Sequence, residues 1–185
     1  MDLMPFDELN KFKDGLPIHF EDGKIRSKAD AEDIIDEMLD LFLLAYARGQ
    51  AATNTDLDSD VSSSYESVMD TVDKKVAGKT WRERVWEYFD NGGTEADIIR
   101  IAETETHRDS NEAAYETAKE AGATTKVWHC LMLPTSRDTH IYLNGVEAPI
   151  DGEFYSFMGG STKFPGQWGI AEEDVNCLCY LTYRK

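Results

Sequence analysis

Cys177 and Cys179 are separated by one residue, and an extended segment with that spacing puts both thiols on one side. Two thiolates side by side, joined by the imidazole of His140 and either the carboxylate of Asp138 or the imidazole of His129, make a donor set suited to a tetrahedral zinc ion. The same groups also compose a nucleophilic Cys–His pair in which Asp138 or Asn176 orients the imidazole. A third reading is two small, unreactive thiols buried in a core. Paired cysteines in structural zinc sites usually stand two or more residues apart. The expectation is therefore no cofactor, with zinc at His140, Cys177 and Cys179 as the alternative.

Arg137, Asp138 and His140 fall within four residues, just after Pro134. A guanidinium is a rigid fork that matches a carboxylate, and Glu105 is its expected partner. Glu105 lies on a helix whose apolar stripe, Ile98, Ile101 and Ala102, gives way to Glu105, Arg108, Asn111 and Glu112 before Tyr115 and Ala118 restore it. Such an interruption means either that the helix emerges into solvent or that it carries a buried polar network. On the second reading Glu105, Arg108, Asn111, Arg137, Asp138, His140 and Asn176 hold the helix to the segment that follows. No catalytic residue is assigned. Lys163 and the glycines after Met158 lack the Gly-Lys-Ser/Thr helix start of a phosphate loop. Asp56, Asp58 and Asp60 alternate, but the Gly and Glu of a calcium loop are missing.

The elements that must position these groups are helical first and β-rich later. Met4, Pro5 and Phe6, and then Leu16, Pro17 and Ile18, read as extended or turn segments, and residues 21–24 as a turn. Ser27 and Asp30 open a helix striped by Ile34, Met38, Leu41, Phe42 and Ala45, with Gly49 as its stop. A second helix runs from Tyr65 to Val76. A third opens at Thr80 with Glu83 and stops at Asn91, Gly92 and Gly93. The longest, about 95–121, is capped by Thr94 and Asp97 and ends at Gly122. Residues 127–133 read as a strand, Asn144-Gly145 as a hairpin turn after Ile141, Tyr142 and Leu143, and 175–183 as a closing strand. The fold class is α+β: N-terminal helices including one long helix, then a small, mainly antiparallel β module closed by a Cys-x-Cys strand.

The totals fit this outline. The chain of 185 residues is 41% hydrophobic, with a mean hydropathy of −0.50. It contains no apolar run of bilayer length and no basic leader at its start, so neither a membrane nor an export signal is expected. Its three cysteines do not make a disulfide framework. Net charge is −17, and residues 1–120 hold 29 acids against 14 bases. That surface repels nucleic-acid phosphate, which disfavours direct nucleic-acid binding. It is either a solvated face or a dock for a basic partner.

Taken in order, the motifs from about residue 78 onward resemble the phage head morphogenesis family, the minor capsid proteins of the Mu F and SPP1 minor head type. The resemblance rests on Ala102, Glu103, Thr104 and Glu105 with Asn111, then Lys126 and Trp128, then Arg137 and His140. Asn144 and Gly145 follow, then Ile150, Asp151 and Phe154, then Pro165 and Gly166, and finally Asn176, Cys177, Leu178 and Cys179. Glu103 stands where the family has Arg, Asn144 where it has Asp, and Leu178 where it has Arg, so basic contacts made there by relatives are not expected.

The resemblance implies two regions. Residues 1–77 form a helical region of unassigned role, and residues 78–185 a minor head protein-like domain. It further implies a structural protein of the phage or prophage head, not an enzyme. Such a protein acts in capsid assembly or as an internal, portal-associated or ejected protein, with the portal, scaffold or major capsid protein as partner. Its place is the virion interior, and the host cytoplasm during assembly. Family members are sometimes fused to toxin domains, and none is expected within 185 residues. The rival readings are a metal-binding or Cys–His hydrolase-type protein, or a phage-derived effector, using His140, Cys177 and Cys179.

Overall fold

In the computed structural model, which describes residues 7–76 and 78–185, the chain is α+β. Met4, Pro5 and Phe6 lie outside the described residues. Helix α1 (Asp7–Gly15) leads into a 3-10 turn over Leu16–His19, where Pro17 sits in the first turn and needs no amide donor. A short hairpin of β1 (Phe20–Glu21) and β2 (Lys24–Ile25) follows, turned by Asp22 and Gly23 at positive φ. Then come α2 (Lys28–Leu57), α3 (Tyr65–Val72), α4 (Trp81–Asn91) and α5 (Glu95–Glu120).

The starts of these helices follow their capping chemistry. Ser27 accepts the Asp30 amide, and Thr80 with Glu83 and Thr94 with Asp97 form reciprocal caps. Gly92 ends α4 in the left-handed conformation. The expected stop at Gly49 is not used, and α2 continues to Leu57. Gly49 serves a different purpose. A Cβ there would lie 2.1 Å from the Ser110 carbonyl oxygen of α5, so its missing side chain lets two helix backbones touch. The α2–α5 contact is the most extensive in the molecule.

The apolar core of the helical part combines Ile34, Met38 and Phe42 of α2 with Trp81 and Val85 of α4 and Ile98, Ile101 and Ala102 of α5. Phe42 and Trp81 meet edge to face at 5.0 Å. This core therefore draws residues from both sides of residue 77. A second core forms around Trp128, Phe154, Phe164, Trp168, Cys177, Cys179 and Leu181, and Tyr115 of α5 belongs to it.

The β module holds β3 (Thr125–His129), α6 (Asp138–Leu143), β4 (Glu147–Pro149), β5 (Phe154–Tyr155), β6 (Ser161–Thr162), α7 (Ala171–Asp174) and β7 (Tyr180–Arg184). Its main sheet has the order β4-β3-β7, antiparallel throughout. Three local expectations differ. The strand stops at His129 because Cys130 N donates to Asn144 Oδ1, and Met132 then takes a positive φ. Residues 138–143 are helical, so Gly145 closes a helix-to-strand turn, its amide bonded to the Trp128 carbonyl. Cys177 and Cys179 precede β7 in a non-repetitive stretch, so the closing strand begins at Tyr180. Among the described residues no helix is long and apolar enough to cross a membrane.

Candidate functional site

Two polar clusters meet α5, one carried by the helix itself and one packed against it. The first is the interruption of its apolar stripe. Glu105, Arg108, Asp109 and Glu112 are all buried. Arg108 pairs with Glu105 one turn away and with Asp109 at 2.7 Å. Arg84 of α4 also pairs with Glu105, and Lys74 reaches Glu112 at 2.8 Å. Three carboxylates thus face three cations. Burial works against the Arg108 charge, but Asp109 and Glu105 more than offset it and its pKa is raised. Burial pushes the Asp109 carboxyl up, with Arg108 pulling the other way. Arg108 Nη2 also donates to the Thr71 carbonyl at 3.2 Å, at the C-terminal end of α3.

The polar stripe on α5 is therefore a buried network, but its partners come from residue 74 and from α4. The expected Glu105–Arg137 pair does not form. Arg137 is half-buried and donates to the Val175 carbonyl. Asp138 and Asn176 lie on the surface, outside any buried network. Asp138 is the first residue of α6, where a solvated carboxylate suits the helix start. Asn176 turns the chain at φ +57, a conformation that asparagine tolerates better than most residues.

The second cluster is the thiol–imidazole set. His140, on α6, places Nδ1 at 3.6 Å from Cys177 Sγ and 3.4 Å from Cys179 Sγ. Its Nε2 lies 3.1 Å from Glu173 Oε2. Glu173 is held in turn by Thr139 Oγ1 at 2.8 Å and Ser156 Oγ at 2.7 Å. His140 is 2% exposed and Cys177 3%. The ring of Trp168 stacks on the imidazole and the edge of Trp128 meets it. From α5, His107 Nε2 (2.6 Å) and Asn111 Nδ2 (3.2 Å) both donate to the Cys179 carbonyl. These two bonds tie the helix to the Cys-x-Cys segment, the task expected of Arg137.

Hydrogen bonding from the Cys179 thiol, opposed by burial and reinforced by His107 and His140, pulls Cys177 well below the ordinary thiol pKa. The same hydrogen bond and burial raise Cys179. His140, Cys177 and Cys179 offer three donor atoms, all within 4.8 Å of one another. Beside them lies a cavity of about 30 Å³, lined also by Cys130, Arg137 and Asn176. Its size admits a water, not an organic substrate.

His129 is not part of this set; it bonds Thr182 Oγ1 at 2.8 Å and stacks on Tyr180. The group that orients His140 is Glu173, in place of Asp138 or Asn176. Glu173 is hidden in the sequence because nothing sets it apart from its acidic neighbours Glu172 and Asp174. His107 carries a usable signal, since it stands four residues before Asn111 on the same helical face. Ser156 and Thr139 carry none.

The chain is similar to two curated proteins. One is an NAD+–arginine ADP-ribosyltransferase of Enterococcus faecalis, 32% identical over 149 residues, which covers 62% of this chain and 30% of that protein. The other is a minor head protein of Bacillus phage SPP1, 33% identical over 85 residues, which covers 44% of this chain and 28% of that protein. The chain thus spans under a third of the length of either relative. No family model matches it, and no solved structure matches it.

Proposed function

We propose that this chain is a minor head protein of a phage or prophage. In this reading it acts in capsid assembly or travels inside the head next to the portal. The observation that carries the proposal is its similarity to the phage minor head protein. The interior geometry is in keeping with a structural part. The polar groups of α5 are used to join elements: Arg108 to the end of α3, and His107 and Asn111 to the Cys-x-Cys segment. The acidic helical half then serves as a dock for the portal, scaffold or major capsid protein, without adhering to packaged DNA.

The second reading is an effector related to the transferase, favoured by the larger share of this chain aligned with it. Weighing against it, the cavity beside His140 is an order of magnitude smaller than a dinucleotide requires. A segment that resembles parts of both a head protein and a transferase, and under a third of each, fits a shared module better than a shared activity.

The test is to look for the chain in purified particles and with the portal protein. We expect it in the particles, co-purifying with portal at low salt and released at high salt. Its absence from particles, together with NAD+-dependent labelling of arginine by the purified chain, would overturn the proposal.

A further inference from the structure

We propose that His140, Cys177 and Cys179 bind one zinc ion through Nδ1 and the two sulfurs. The inference stands apart from the head-protein reading and holds or fails without it. Zinc takes sulfur at about 2.3 Å and imidazole nitrogen at about 2.0–2.1 Å in a tetrahedron, which sets the nitrogen–sulfur separation near 3.6 Å. The observed separations are 3.6 and 3.4 Å. The ligands come from α6 and from the stretch before β7, so the ion would join two pieces of chain 37 residues apart in sequence.

The support around the imidazole is what a metal-bound histidine needs. Glu173 places Oε2 3.1 Å from Nε2, a carboxylate on the far side of the ring from the thiols, which suits a ring that presents its Nδ1 lone pair to them. Thr139 and Ser156 fix that carboxylate in place. Trp128 and Trp168 flank the ring and keep bulk water from it. Two thiolates and an imidazole form a soft donor set, which selects zinc over magnesium, calcium or manganese. The fourth position faces the 30 Å³ cavity, which has room for one water-sized ligand. On binding, each Zn–S bond forms from a thiolate, and any proton that a thiol still carries leaves to solvent.

The experiment uses the full chain, purified under reducing conditions and loaded with zinc chloride or, as a spectroscopic substitute, cobalt chloride. The expected result is one equivalent of zinc retained after dialysis. Cobalt should give a thiolate charge-transfer band and the d–d absorption of a tetrahedral site. C177S and C179S should each lose the band, whereas C130S should keep it at full intensity. E173Q should bind roughly 10–100-fold more weakly. A wild-type protein that retains no zinc, and whose thermal midpoint is unmoved by it, overturns the site without recourse to any variant. It would leave a hydrogen-bonded thiol–imidazole set instead. Unchanged cobalt binding in C177S or C179S, or a weakened band in C130S, overturns the assignment of ligands.

Discussion

Replacing Gly49 with alanine sets two physical effects against each other. Alanine is preferred to glycine within a helix by about 1 kcal/mol, so propensity alone predicts a more stable protein. The structure predicts the opposite. The new methyl would sit 2.1 Å from Ser110 O, 2.9 Å from its carbonyl carbon and 3.1 Å from its Cα. An ordinary contact needs roughly 3.4 Å or more, so α2 and α5 must move apart by over ~1 Å. Gaps of that size forfeit roughly a quarter to a half of each dispersion contact they open. Overpacking in a dense core costs about 1–3 kcal/mol, and this site belongs at the upper end because the obstacle is backbone. The net expectation is a loss of about 2 kcal/mol, or a thermal midpoint lower by about 4–8 °C for a chain of this size. Urea denaturation followed by helical circular dichroism measures it. Gly15 is the control. It ends α1, and a Cβ added to it would meet nothing within 4 Å, so G15A should be neutral or slightly stabilising. A G49A midpoint equal to or above wild type would refute the close-contact account of this helix pair.

Arg108→Met should cost about 3–5 kcal/mol, because it leaves Glu105 and Asp109 buried without their cation; denaturant midpoints of the variant check it. Arg137→Ala should cost only about 1 kcal/mol by the same measurement, since a half-exposed guanidinium there bonds one carbonyl and no carboxylate. Lys126 is inside the protein, with Nζ donating to the Lys163 carbonyl at 2.9 Å over the Tyr115 and Phe154 rings. Burial first, and the charge of Lys163 second, lower its pKa from 10.5 to about 8. The unfolded chain keeps that proton up to the ordinary value, so the stability penalty is full below about pH 8 and fades as pH rises toward 10.5. The stability of K126M relative to wild type should therefore fall by about 3 kcal/mol across that window, and a flat difference would refute it. Asn111→Leu removes one of two donors to the Cys179 carbonyl and should cost about 1–2 kcal/mol, read by thermal melts.

Local chemistry is the legible part of the sequence. Thr80 with Glu83 and Thr94 with Asp97 act within one helical turn, and those helices begin where these pairs place them. Gly49 misleads because a glycine that ends a helix and one that admits a neighbouring helix look alike until Ser110 is placed beside it. The Asn144-Gly145 turn misleads for a related reason. Asp138 starts a helix just before it, and Asn144 is drawn back to the Cys130 amide. In the polar set, Arg137 suits Glu105 as any fork suits a carboxylate. Arg84 and Arg108 are nearer, however, and they neutralise that carboxylate instead. Both thiols reach His140, as their spacing on one side suggests, although the stretch that carries them is not a strand, and Glu173 reaches the ring only through the folded path of α7.

Helix α5 belongs to both apolar cores, giving Ile98 and Ile101 to one and Tyr115 to the other. No single cut in the backbone can therefore yield two self-sufficient halves, because whichever fragment loses the helix loses a wall of its interior. A gene rearrangement could transplant this unit between larger proteins only as a block, with new sequence joined outside it. Proteolysis should correspondingly give either intact chain or small peptides, with few long-lived intermediates.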